Sequence, residues 1–222
     1  MKFLLGIDDA GRGPVVGSMF LAGVLITKEQ ERILKSKNIK DSKMLSHSSR
    51  IMLSGLIKEN SIDCEIIEVT PKEIDKAVEL NHLNVLEAQK MAEIIAKIVS
   101  RNNEKDIEIV LDCPSVNTKE WKNKLLSFLE KNRKLKIKCE HKADINYISV
   151  AAASILAKVA RENSIKSIKQ KIAKDFGSGY PADPKTREFL LSYGKKFLNL
   201  GIIRESWSTW KEISKTKQKR LF

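Results

Sequence analysis

Four aspartates and one glycine-rich turn are the residues in this sequence best suited to chemistry. Asp8 and Asp9 stand where a short apolar run, residues 2–7, gives out, and Asp112 closes a similar run at 107–111. Asp144 opens the alanine-rich stretch that continues through 149–159. Carboxylates gathered at one edge repel one another and call for a cation. An all-oxygen ligand set suits a hard divalent ion, Mg²⁺ or Mn²⁺. Two such ions about 4 Å apart can activate a water on one side of a phosphodiester and stabilise the leaving oxygen on the other. Asp8, Asp9, Asp112 and Asp144 are therefore the candidate metal ligands and catalytic set.

Other chemistry has little support. His47, His82 and His141 are scattered, with no H-x-x-x-H spacing, and Cys64, Cys113 and Cys139 form no C-x-x-C pair. The cysteines read as reduced and structural. Each acid taken singly also has an ordinary reading, since Asp8 or Asp9 could cap a turn, Asp144 could cap a helix and Asp112 could brace a loop. Their joint occurrence at the ends of apolar runs is what favours a metal site.

The elements that must position these acids follow from periodicity. Short apolar or alternating runs at 2–7, 15–26, 62–69, 107–111 and 135–139 predict five strands. The turn Gly11-Arg12-Gly13-Pro14 joins the first two, so the sheet is expected to start antiparallel. Helix-period segments at 48–58, 83–99, 118–131 and 145–174, the last long enough to contain a break, alternate with the later strands, which implies parallel pairing there. In such a sheet the carboxyl ends of parallel neighbours share the edge where ligands bind. Helical spacing would place Asp144, Ile148, Ala151 and Ile155 on one face, turned toward that edge. The expectation is an α/β fold with a mixed five-stranded sheet flanked by helices: a catalytic domain over 1–175 and a small helical region over 176–222. The last twelve residues, with five basic side chains against Glu212, read as a loose basic tail.

In 222 residues, 41 are basic and 28 acidic, a formal net charge of +13, which points to an acidic partner such as nucleic acid. Apolar runs such as 150–156 are far shorter than the ~20 residues that span a bilayer, and no signal pattern opens the chain. A cytoplasmic protein with no membrane partner is expected.

At this point a family emerges. Gly6-Ile7-Asp8-Asp9-Ala10-Gly11-Arg12-Gly13-Pro14 resembles the opening motif of type 2 ribonuclease H, ribonuclease HII, and Lys40-Asp41-Ser42-Lys43 resembles its next element. Leu111-Asp112 is placed like its third acid. His141-Lys142-Ala143-Asp144, with Ala151-Ala152-Ala153-Ser154-Ile155 and Ala157-Lys158, is similar to its fourth-acid helix. Gly177-Ser178-Gly179-Tyr180-Pro181 with Asp183-Pro184-Lys185-Thr186 resembles its tyrosine loop. The style is that of the archaeal branch.

The resemblance implies a ribonuclease H-like fold and metal-dependent endonucleolytic hydrolysis of RNA in RNA/DNA hybrids. It also implies incision 5′ of single ribonucleotides embedded in duplex DNA, leaving 3′-hydroxyl and 5′-phosphate ends, as in primer removal and ribonucleotide repair. It assigns Gly11, Arg12 and Gly13 to the ribose 2′-hydroxyl and flanking phosphates, Lys43 to a phosphate near the scissile bond, and Tyr180 to stacking on the following deoxyribose. It also implies a monomer. One departure stands at Asp9, where the family usually has glutamate. Aspartate keeps the charge and is one methylene shorter, which leaves ligation through water, or a changed metal preference, open. Trp207 and Trp210 are expected to pack the C-terminal helices. Gln218-Lys219-Arg220-Leu221-Phe222 resembles the start of a sliding-clamp-binding peptide, whose general form needs two aromatics further on than this sequence runs. A different nuclease on the same fold, and a basic nucleic-acid-binding module with a decayed site, are the competing readings.

Overall fold

The computed structural model describes residues 2–37, 39, 46–103, 106–129 and 135–218. Its sheet has five strands: β1 (Phe3–Ala10), β2 (Met19–Thr27), β3 (Asp63–Val69), β4 (Ile107–Asp112) and β5 (Lys136–Glu140), in the order β3-β2-β1-β4-β5. β1 pairs antiparallel with β2 and parallel with β4, and β4 pairs parallel with β5. The antiparallel start and parallel continuation are those the sequence predicts. All nine residues of β2 are buried, which explains a continuous apolar run in place of alternation: the strand is covered on both faces.

The chain forms two compact units. The first comprises Met1–Ala10, Phe20–Ile67 and Asn84–Ala160. In it, helix α4 (Leu83–Arg101) covers one sheet face, where Gly23 faces Ile94 and Ile98. On the other face the start of α7 (Ile148–Ile172) packs Ala152, Ala153 and Leu156 toward Ala22, Val24 and Ile26. Gly6 lets the α7 backbone lie directly on β1, since a Cβ there would overlap the Ser149–Val150 peptide. The second unit comprises Gly11–Met19, Glu68–Leu83 and Arg161–Phe222. Its core gathers Val15, Val16, Ile165, Phe176, Phe189 and Trp210.

The remaining helices are α1 (Lys28–Ser36), α2 (His47–Glu59), α3 (Pro71–Glu79), α5 (Thr118–Leu126), α6 (Ala143–Asn146), α8 (Pro184–Phe197) and α9 (Ser208–Gln218). The helices differ from expectation in three respects. The helical segment expected from 145, long enough to contain a break, divides at Tyr147, whose backbone is extended (φ −119°, ψ 120°), so Asp144 sits on α6 and does not share the expected helical face with Ile148, Ala151 and Ile155. The start of the expected basic tail is helical, because α9 anchors Trp210 and Ile213 in the second core. Helices α1 and α3 were not anticipated, and each opens on a capping box, Thr27 with Gln30 and Thr70 with Glu73. Among the described residues no helix is long and apolar enough to cross a membrane.

Candidate active site

The four predicted acids all lie in the first unit. Ile7 of β1 is in register with Leu111 of β4, so the next residues, Asp8 and Asp112, are neighbours at the carboxyl ends of parallel strands. Strand alternation turns both toward the face on which Gly6 meets α7. Asp8 is 5% exposed. Its carboxylate accepts the Asp9 amide at 2.8 Å and a hydrogen bond from the Ser154 hydroxyl. Burial, followed by repulsion from Asp9 and Asp112, nevertheless holds its pKa well above the ordinary range. The charged groups that bear most on Asp8 are thus other carboxylates.

Asp112 is tied to the fourth acid through backbone. Its Oδ1 accepts the Ala143 amide at 2.9 Å at the opening of α6, and Asp144, next along, is 6% exposed. The connection from β5 is fixed by the Cys113 amide donating to Glu140 O at 2.9 Å, by the Tyr147 hydroxyl on Glu140 at 2.8 Å, and by His141 Nδ1 at 3.1 Å from Cys113 O. A left-handed Lys142 (φ 55°) makes the turn into α6. Among the described residues no three His, Cys, Asp or Glu side chains are grouped so that they could hold a metal ion as they stand. The donor chemistry fits a hard divalent cation all the same: the set is all carboxylate, and burial with like-charged neighbours disfavours the ionised form of Asp8, which a cation would relieve.

The other predicted residues fall in the second unit. Gly11 has φ +90°, and a Cβ there would come within 2.7 Å of Arg161 Cδ and 2.9 Å of its Nε. Only glycine fits. All three carbonyls of the Gly11–Arg12–Gly13 turn are taken: Arg204 Nη2 donates to Gly11 O at 2.6 Å, its Nη1 to Arg12 O at 2.7 Å, and Trp207 Nε1 to Gly13 O at 3.0 Å. Arg204 Nε adds a bond to Gly17 O at 2.9 Å. Arg204 is fully buried, with its guanidinium 4.9 Å from the Trp207 ring centroid. Burial, and then the neighbouring Arg161, lower its pKa to about 10, so it remains a cation at neutral pH.

Tyr180 is 41% exposed. Arg161 lies 4.9 Å from its ring centroid and donates to Ser178 O at 2.7 Å. The tyrosine loop is braced by Asp183, which accepts the Ser178 amide and hydroxyl at 2.6 and 2.7 Å and the Lys185 amide at 3.0 Å. Gly179 O accepts the Val15 amide at 2.8 Å, which joins this loop to the segment following Gly13. Lys43 lies outside the described residues, as do the last four residues of the clamp-like tail. Sequence reasoning gave no role to Ser154, Arg161 or Arg204, and to Trp207 only packing.

Residues 5–210 match the family model for ribonuclease HII. The chain belongs to the ribonuclease HII family. It is 40% identical over 228 residues to ribonuclease HII of Methanocaldococcus jannaschii, covering 98% of both chains. Ribonuclease H2 from Pyrococcus horikoshii superposes with a TM-score of 0.84 at 34% identity, covering 98% of this chain and 99% of that one. A PCNA:RNase HII complex from Archaeoglobus fulgidus gives 0.81 at 34% identity, with 96% of each chain covered. The fold is ribonuclease H-like, as expected from the sequence. Ribonuclease HII enzymes are divalent-metal-dependent endonucleases that hydrolyse RNA in RNA/DNA hybrids, and this membership settles the enzyme class of the chain.

Proposed function

We propose that Asp8, Asp9, Asp112 and Asp144 hold two Mg²⁺ or Mn²⁺ ions and cleave 5′ of a ribonucleotide, leaving 3′-hydroxyl and 5′-phosphate ends, in long hybrids and at single ribonucleotides in duplex DNA. The observation that carries this is the buried Asp8 carboxylate, set against Asp9 and Asp112 in a protein with a net charge of +13. The metal ions supply Lewis acidity at the phosphate and a water of lowered pKa. Asp8 and Asp112, on rigid neighbouring strands, fix the site. Ser154 holds the Asp8 carboxylate in orientation. Asp144, placed by the α6 turn, completes the set. Asp9, one methylene shorter than the family's usual glutamate, acts directly or through a water.

Substrate choice belongs to the second unit. Gly11, Arg12 and Gly13 meet the 2′-hydroxyl and adjacent phosphates, and Arg12 offers a charged fork to phosphate oxygens. Tyr180, exposed and backed by Arg161, stacks on the deoxyribose that follows the ribonucleotide. Lys43 contacts a nearby phosphate. Such a site tells RNA from DNA by the sugar and does not read bases. The cellular roles that follow are removal of primers and of misincorporated ribonucleotides, by a monomer in the cytoplasm. Docking on a sliding clamp through the tail that begins at Gln218 is supported by the solved complex of the Archaeoglobus relative with PCNA. The test of the reaction is a labelled DNA duplex with one ribonucleotide, incubated with Mg²⁺, Mn²⁺ or chelator and mapped to the nucleotide. Metal-dependent incision on the 5′ side is expected. Tight binding without cleavage in either metal would leave the decayed-site binder.

A further inference from the structure

We infer that Arg204 and Trp207 are positioning residues for sugar recognition: together they hold every carbonyl of the Gly11–Gly13 turn and so fix the backbone conformation in which the turn meets a ligand. A loop residue has one donor and one acceptor on its backbone. With the carbonyls of Gly11, Arg12 and Gly13 bonded to one guanidinium and one indole, the Gly11–Arg12 and Arg12–Gly13 peptide planes are set by Arg204, and the Gly13–Pro14 peptide, which has no N–H, is set by Trp207. Three features show that the arrangement is built. Arg204 is completely buried, yet it makes its hydrogen bonds to carbonyls and its ring contact to Trp207. The following segment is pinned independently, because Asp75 accepts the Glu205 and Ser206 amides at 2.8 and 3.0 Å. Arg161 then packs under Gly11 and over Tyr180, so the turn and the tyrosine loop share one support. A lysine could reach at most part of this set, since its ammonium lacks the planar fork that serves several carbonyls at once.

This inference rests on the proposed sugar-reading role of the turn, and the test separates the two. Binding is measured in chelator for an all-DNA duplex and for the same duplex carrying one ribonucleotide, with folding checked by circular dichroism. The readout is the ratio of the two dissociation constants, which general loss of structure or of charge would leave unchanged. Trp207→Phe keeps the ring and removes one donor, so the preference for the ribonucleotide should fall roughly three- to tenfold with all-DNA binding retained. Arg204→Lys should lower the preference further. If Arg204→Lys does not fold, Trp207→Phe alone decides. Wild-type preference in a folded Trp207→Phe, or equal weakening on both duplexes, would overturn the positioning role. Gly11→Ala, which forces the turn off Arg161, serves as the control. If it abolishes the preference while Trp207→Phe preserves it, the turn reads sugar without this support. If Gly11→Ala or the wild type shows no change and no preference respectively, the sugar-reading role falls and this inference with it.

Discussion

Each unit of this protein buries a charge, and the two are satisfied in opposite ways. Asp8 lies under the sheet edge with Asp9 and Asp112 as its main charged neighbours, and its pKa is driven up. Arg204 lies under the glycine turn near a second arginine, yet each of its donor nitrogens has a carbonyl. A buried charge is tolerated when hydrogen bonds replace its hydration, and it is costly when like charges surround it. The arginine therefore completes the fold. The aspartate works against it, and a carboxyl pushed up by burial and like charges is the mark of a functional-site candidate.

The largest expected effect tests the function of the strained side. Asp112→Asn should lose turnover by roughly 10³-fold or more while duplex binding persists, as read by single-turnover cleavage and by binding in chelator. A variant that cleaves like wild type would remove Asp112 from the site. Next in size is the satisfied side: Arg204→Met keeps the volume but strands buried carbonyls, and should cost about 3–5 kcal/mol in denaturant unfolding. A loss below about 1 kcal/mol would show that water replaces the guanidinium easily.

Asp8→Asn should move stability the other way. The folded pKa of Asp8 lies above its unfolded value near 3.8, so ionised Asp8 destabilises the fold above the folded pKa. That penalty fades as pH falls through the folded pKa and is gone below the unfolded one. In metal-free buffer Asp8→Asn should melt higher than wild type at pH 7, with the gap closing in acid. A constant gap, or a lower melting point at pH 7, would contradict the assignment of strain. The smallest effect concerns the loop brace: Asp183→Ala should lower stability slightly, by loss of its bonds to the Ser178 and Lys185 amides, and weaken Tyr180-dependent selectivity, measured as cleavage at a ribonucleotide–deoxyribonucleotide junction against a uniform hybrid.

The two sides also differed in how far the sequence revealed them. Asp8 and Asp112 were legible because strand ends are marked by where apolar runs stop, and a parallel pair brings such ends together. The antiparallel start was legible from the Gly-Pro turn. Asp144 stands on α6 and not on the helical face expected from the sequence, since nothing in the alanine-rich pattern marks Tyr147 as extended. Helices α1 and α3 could have been read from Thr27-x-x-Gln30 and Thr70-Pro71-x-Glu73, which are capping signals with a proline at the first helical position of α3. Arg204 was illegible for a different reason. Among 41 basic residues, one arginine after Ile202-Ile203 looks like surface charge, and only tertiary packing brings it to carbonyls nearly two hundred residues earlier.

The central claim is that the repulsion around Asp8 marks a cation site, and thermal unfolding with and without Mn²⁺ tests it most directly. Because an ion that binds only the folded state stabilises it by mass action, Mn²⁺ should raise the melting temperature of the wild type and do much less for Asp8→Asn. Equal shifts in both proteins, or none in the wild type at millimolar Mn²⁺, would contradict the account.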